Sequence, residues 1–318
     1  MKIENREKEP IKGLELSGLF YEEYGKPMLH QLFPAYEERI AVGLVGQGSE
    51  CFGYDDAFSC DHDFEPGFCM WLTKEDERET GFKLFRAYSK LPEEFLGIRR
   101  EKQSFYGGGR KGVLETGAFY RTFTGRDGLP ESLMEWLYLP EHALASAVNG
   151  RVFRDELGEF TKIREALLKG YPEDVRLKKI AARAAFMAQS GQYNYERCHK
   201  HGEPAAASMA LGEFVKNTAS MVFLLNNRYM PYYKWMFRAM KELPLLSGLA
   251  PMLEELLLKS GGEKEKKEGI EEVCGQVIGE MKRQRLTDGN WDYLEPHGLE
   301  VMERIGDSEL RNLHLMEG

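Results

Sequence analysis

The chain has 318 residues, 42% of them hydrophobic and 30% charged, which is enough apolar mass for one large or two ordinary cores. With 52 acidic residues against 43 basic ones, its formal net charge of −9 disfavours a broad electrostatic grip on a polyanion and so a general nucleic-acid polymerase role. No apolar run approaches the ~18 residues of a membrane span, the start Met1-Lys2-Ile3-Glu4-Asn5 has no signal-peptide core, and cysteines at 51, 60, 69, 198 and 274 form no Cys-x-x-Cys pair; a cytoplasmic protein without a membrane partner is expected.

Residues 11–38 carry apolar and aromatic positions at helical spacing (Leu14, Leu19, Phe20, Tyr24, then Leu29, Leu32, Phe33), which predicts a helix pair before the first strand. Ile40 to Val45 is a short apolar run that meets Gly43, Gly46 and Gly48 within six residues, the pattern of a buried strand entering a tight turn. Backbone N–H groups at Gly48 and Ser49, with the serine hydroxyl, suit a phosphate. After a spacer of eleven residues stands Asp61-His62-Asp63. On a strand, residues two apart share a face, so Asp61 and Asp63 project together while His62 points away. Two carboxylates on one face can hold Mg²⁺, or Mn²⁺ in its place, together with substrate phosphate oxygens.

The ordered set of apolar strand, Gly48-Ser49 and Asp61-x-Asp63 resembles the signature of the nucleotidyltransferase superfamily, the polymerase-beta-like fold. A narrower resemblance covers most of the chain: Glu135-Trp136-Leu137, Asn149 to Asp155, Tyr171 to Val175, Gln192 to Tyr195 and Arg228 to Trp235 are similar to a bacterial family of nucleotidyltransferase-like proteins catalogued as a domain of unknown function. His62 departs from the superfamily pattern, which more often has an apolar residue there. The superfamily resemblance implies transfer of a nucleoside monophosphate, AMP from ATP by default, to an acceptor hydroxyl, with pyrophosphate released. It implies that Asp61 and Asp63 hold the metal, that Gly48 and Ser49 hold the nucleotide phosphates, and that a third carboxylate takes the acceptor's proton. Glu135 is the first choice for that carboxylate, in a Ser132–Leu139 stretch read as a strand; Glu115 is the second.

After the acid pair, Thr73 and Asp76 form a capping box ahead of a helical stripe of Phe82, Phe85 and Tyr88. Gly107 to Gly112 reads as a hairpin connection into a strand over Val113 to Thr122, in preference to a loop carrying Arg110 and Lys111 to a triphosphate. Near residue 140 the pattern turns helical. Pro140 opens a helix that Asn149-Gly150 closes, Arg151 to Asp155 reads as an extended connection, and Phe160 to Leu168 forms another helix. Helices are predicted over 174–189, 205–227, 231–243, 250–259 and 270–285, with residues 261–269 as an exposed charged connector. Cys198-His199-Lys200-His201 is not read as a metal site, because adjacent helical positions splay apart.

The expected architecture is α+β: a nucleotidyltransferase-fold domain over 1–140, with a small mixed sheet and flanking helices, then a helical bundle over 141–318. Lys234 and Arg238, one helical turn apart, are placed as phosphate contacts from the bundle. The tyrosines around them are read chiefly as packing. The acceptor is not identified. Local basic groups at Arg99-Arg100, Arg110-Lys111 and Lys282 to Arg285 leave a tRNA acceptor open but disfavoured. The reading from another class is a catalytically weak or inactive nucleotide-binding regulator of toxin–antitoxin type.

Overall fold

A computed structural model of the chain describes residues 11–56, 64–100, 110–259 and 262–318. It opens with α1 (Gly13–Phe20), a π-helical turn (Tyr21–Gly25) and α2 (Lys26–Leu32), which continue one another as a single helix where a pair was expected. Pro27 accounts for the π turn: it has no N–H to donate, and its ring would crowd the carbonyl of Glu23, so the helix widens there. Next come β1 (Ala41–Leu44), α3 (Ser49–Phe52), β2 (Cys69–Leu72), α4 (Lys74–Asp76), a π turn and α5 (Phe82–Tyr88). Thr73 Oγ1 accepts from the Asp76 amide at 3.2 Å, so the expected cap is present, and the buried Asp76 carboxylate also clamps Arg39. The hairpin strands β3 (Glu94–Phe95) and β4 (Ile98–Arg99) precede β5 (Gly112–Glu115) and α6 (Thr116–Thr124). Then follow α7 (Leu133–Tyr138), α8 (Glu141–Val148), β6 (Arg151–Arg154) and α9 (Glu159–Leu168). The remainder is helical: α10 (Glu173–Met187), continued by a π-helical stretch (Ala188–Tyr195) into α11 (Glu196–Lys200), then α12 (Pro204–Leu225), α13 (Tyr233–Lys241), α14 (Leu249–Leu258), α15 (Glu263–Arg283), α16 (Leu294–Glu303) and α17 (Ser308–Arg311).

The fold is α+β, and the chain divides into two compact units. The first comprises residues up to Leu129 together with Ser146–Leu168; the second comprises Pro130–Ala145 and Lys169–Gly318. This corrects a single cut after residue 140. The reason lies in the sheet of the first unit, whose described strands run in the order β5-β2-β1-β6. β1 is antiparallel to β2 (Val42 opposite Met70) and to β6 (Gly43 opposite Val152), while β2 is parallel to β5 (Trp71 opposite Leu114). Arg151 to Asp155 is thus no plain connection: most of it is a strand that covers the outer edge of β1. Nor do Arg110 and Lys111 end a hairpin, since β5 runs parallel to its neighbour. The strand expected over Val113 to Thr122 stops at Glu115, where α6 begins.

Both faces of the central pair are covered, so β1 and β2 are buried at every position, which explains their uninterrupted apolar composition. On one face Val42, Met70 and Leu72 pack with Leu16, Phe20, Leu29, Leu84 and Tyr88. On the other, Trp71 stacks on Phe160 of α9 at 3.9 Å between ring centroids, and Phe119 of α6 meets both rings.

The second unit is built around α10, whose alanine-rich face (Ala181, Ala182, Ala184, Ala185) lets neighbouring helices come close. At Gly298 of α16 a β-carbon would stand 2.9 Å from the Ala181 carbonyl oxygen, so that helix crossing requires glycine. The Ser132–Leu139 stretch is helical, not a strand. The charged run after Gly262 is also helical: α15 begins at Glu263, and the Glu265 carboxylate accepts from the Gly262 amide at 2.7 Å. Gly262 to Glu265 are exposed, as expected, but they form the first turn of a 21-residue helix.

Phe160→Ala tests whether α9 belongs to the sheet unit. Removing the ring that covers Trp71 should destabilise the protein by about 3–5 kcal/mol in urea unfolding, as for a large aromatic in a core, whereas a residue on a connecting segment would cost under ~1 kcal/mol.

Candidate functional site

The Gly-Ser turn follows β1 directly. Its first glycine, Gly46, is held by the side-chain amide of Asn149: the Gly46 N–H donates to Asn149 Oδ1 at 2.9 Å, and Asn149 Nδ2 donates to the Gly46 carbonyl at 2.6 Å. The Gly150 N–H donates to the Cys51 carbonyl at 2.7 Å, and a β-carbon on Gly150 would fall 1.9 Å from the Leu44 carbonyl oxygen, so two backbones meet here with no room for a side chain. Arg164 of α9 holds the far side, donating from Nη2 to the carbonyls of Val148 and Asn149 at 2.8 and 3.1 Å. Gly48 has φ +122, and its missing side chain makes space for the Glu50 carboxylate and the Arg110 guanidinium. Arg110 Nη1 donates to the Gln47 carbonyl at 2.9 Å, and its Nη2 lies 3.6 Å from the buried Glu50 carboxylate.

Antiparallel pairing places the beginning of β2 beside the end of β1, where the chain enters this turn. The start of β5 lies at the same end of the sheet through its parallel pairing with β2: Cys69 Sγ donates to the Arg110 carbonyl at 3.2 Å, and Lys111 Nζ donates to the Glu65 carbonyl at 2.9 Å. Two cationic side chains therefore stand at the end of the sheet that carries Gly48 and Ser49, Arg110 half-buried and Lys111 buried. Burial pushes the Cys69 thiol up to about 12 and raises Cys51 as well, so neither is a nucleophile at neutral pH.

Asp61 and Asp63 lie outside the described residues, as does the first half of the Gly107 to Gly112 segment. Neither choice for the third carboxylate stands on a strand with its oxygens unengaged. Glu135 is in the first turn of α7, where Ser132 Oγ accepts from the Glu135 amide at 3.2 Å and the Glu135 carboxylate accepts from the Glu131 amide at 2.8 Å. It belongs to the second unit, whereas Gly48 and Ser49 belong to the first. Glu115 ends β5 and caps α6, accepting from the amides of Gly117 and Ala118, each at 3.0 Å. Lys234 and Arg238 lie on the exposed side of α13, whose buried side is Met236 and Met240.

A cavity of about 790 Å³ lies wholly within the second unit, and neither Lys234 nor Arg238 lines it. Its polar lining includes Glu141, Lys179, Arg183, Asn217 and Ser220. Glu141 Oε1 accepts from Ser220 Oγ at 2.6 Å and from Arg183 Nη2 at 3.3 Å, while Glu141 Oε2 is buried without a partner. Lys179 is 3% exposed, and its Nζ stands over the Tyr171 ring at 5.3 Å. The sequence did carry a signal for this lysine: it falls inside the apolar face of a helix, an expensive place for an amine.

The family described as Domain of unknown function (DUF4037) matches residues 136–236, from within α7 to within α13. The match agrees with the resemblance read from the motifs between Glu135 and Trp235. No curated protein matches the chain. A solved structure titled as a nucleotidyltransferase-like protein from Exiguobacterium sibiricum is 10% identical, covers 89% of this chain and 81% of its own, and superposes with a TM-score of 0.38. No described helix is long and apolar enough to cross a membrane.

Two outcomes follow from this geometry. Asn149→Ala removes both bonds to Gly46 and leaves its buried groups unpaired, so urea unfolding should show a loss of about 2–4 kcal/mol; a loss under ~0.5 kcal/mol would mean the amide does not hold the turn. The second concerns pH. Burial lowers the Lys179 ammonium to about 8, with Arg183 and Lys178 adding to the fall and Glu141 opposing it. The unfolded chain keeps this amine protonated up to about 10.5, so between these values the native state binds fewer protons and stability rises with pH. Buried thiols such as Cys274 work in the opposite direction, because their unfolded counterparts ionise first. Comparing wild type with Lys179→Met isolates the amine. The stability difference in favour of the methionine variant should be constant below pH 7.5 and shrink by about 1 kcal/mol per pH unit from pH 8 to 10.

Proposed function

We propose that the protein is a metal-dependent nucleotidyltransferase that moves a nucleoside monophosphate, AMP from ATP as the default, to a hydroxyl of an acceptor. The observation that carries this reading is the Gly46–Ser49 turn, fixed at the end of a buried strand by Asn149 and Arg110 and followed in sequence by Asp61-x-Asp63. Such a turn brings backbone N–H groups close to an anion, and its rigidity means that no ordering cost falls on binding. The roles are divided among the chain's own residues. Gly48 and Ser49 would orient the β- and γ-phosphates, with Arg110 and Lys111 placing positive charge at the same end of the sheet. Asp61 and Asp63 offer the hard carboxylate oxygens that Mg²⁺ or Mn²⁺ prefers, and the ion, when bound, would screen the phosphate charge.

The regulatory alternative gains from one observation: Glu135 and Glu115 are both engaged at helix N-termini, so neither is a ready general base. A protein with a nucleotide site but no such base would bind Mg-ATP and turn it over poorly.

One experiment separates the two readings. Wild type incubated with ATP, Mg²⁺ and a mixture of hydroxyl acceptors should release pyrophosphate. The double variant Asp61→Asn, Asp63→Asn should fall to background with an unchanged circular dichroism spectrum, and Glu135→Gln should retain most of the activity. Calorimetric binding of Mg-ATP by wild type with no pyrophosphate release under any acceptor would replace transfer with the regulatory reading.

A further inference from the structure

The cavity of the second unit meets two groups that the protein itself leaves unsatisfied. Lys179, 3% exposed as a residue, has no hydrogen-bond acceptor or ion-pair partner among the described residues, so its ammonium opens only onto the cavity it lines, and Glu141 Oε2 is buried without a donor. An ammonium shielded from bulk water without a protein acceptor is costly, and so is a buried carboxylate oxygen without a donor. Both line one space of about 790 Å³, a size suited to a small metabolite. The charges of the lining decide what fits. Lys179, Arg183 and Lys216 face Glu141 and Glu213, and Arg183 is already committed to Glu141 Oε1 and, through Nη1, to the Gly318 carbonyl at 2.9 Å, which leaves Lys179 as the inner cation with no protein acceptor. A cationic ligand would be repelled by Lys179. A purely apolar one would leave both groups unpaired. An anion alone would satisfy Lys179 but would crowd the neighbouring Glu141 carboxylate unless a donor stood between them. Phe186 and Met236 supply an apolar wall, and Tyr232 and Tyr233 flank it, 42% and 65% exposed, where a ring could rest.

We propose that this cavity binds a small anionic compound carrying a hydroxyl next to its anionic group, the anion accepting from Lys179 Nζ and the hydroxyl donating to Glu141 Oε2. Hydroxy acids and sugar phosphates share this chemistry. The site lies within the helical unit and does not depend on nucleotidyl transfer.

The test uses the full chain with two probes, glycerol 3-phosphate and D-glycerate, and with glycerol and inorganic phosphate as controls lacking the anion or the organic hydroxyl. In calorimetric titration at pH 7 at least one probe should bind, more tightly than either control, and the better probe identifies the anion as phosphate or carboxylate. Lys179→Met should weaken that binding at least tenfold. A second measurement needs no variant: the bound probe should protect Lys179 of the wild-type protein from acetylation by an N-hydroxysuccinimide ester, read by peptide mass spectrometry, while exposed Lys234 is labelled equally with and without it. Failure of both probes to bind, equal binding by Lys179→Met, or acetylation of Lys179 that the probe does not slow would each overturn the proposal.

Discussion

The first unit depends on the grip of one amide on one glycine. Asn149 donates to and accepts from the backbone of Gly46, 103 residues earlier in the chain. Since the side-chain amide uses one donor and its acceptor on a single residue, the turn after β1 is fixed in orientation as well as position. Arg164 in turn holds the backbone of Asn149, and Arg110 holds that of Gln47. The turn is therefore held in place by three polar side chains from distant parts of the sequence that bond to main-chain atoms around it. Each of those bonds is modest alone, and together they leave the turn few alternative conformations.

How much of this was legible in the sequence depends on whether the signal was local. The buried strands announced themselves through composition, and the Thr73–Asp76 cap through spacing. Asn149 and Gly150 were legible only as a helix stop, which is what they are locally; nothing in a single sequence says that the amide reaches Gly46. β6 was hidden for the same reason, because Arg151-Val152-Phe153-Arg154 is short and flanked by helices, and only its partner makes it a strand. Glu135 was misread through an avoidable ambiguity. A short apolar stretch fits a strand or a helix equally well, but Ser132-x-x-Glu135 is a capping pattern, and it gives the carboxylate a structural reason to be there. Glu115 follows the same logic, one helix earlier. α16 was missed although Leu294, Gly298, Val301 and Met302 repeat at helical intervals, because the polar segment before it drew the reading to a stop at Arg285.

Buried charge is handled in more than one way. In the first unit the Asp76 carboxylate is matched to the Arg39 guanidinium, whereas Asp55 takes only the Gly13 amide on Oδ2 and leaves Oδ1 without a partner. In the second, Lys178 is buried but donates to the carbonyls of His314, Leu315 and Glu317, while Lys179, one residue on and facing another way, has no such acceptors. Adjacent lysines on one helix thus show the contrast between a charge the fold accommodates and one it leaves open.

The order of the units along the chain bears on synthesis. A ribosome that has released residues 1–129 has delivered β1, β2 and β5 but neither β6 nor the amide of Asn149. Until residues 146–168 emerge, β1 keeps a bare edge and Trp71 lacks the ring of Phe160, so the nascent sheet is a sticky intermediate with unpaired backbone on its most apolar strand. Meanwhile residues 130–145 have appeared with most of their own unit still to be made. A pause in translation between these points would prolong the exposure of that edge, and chaperone demand should peak there and not at the end of the chain.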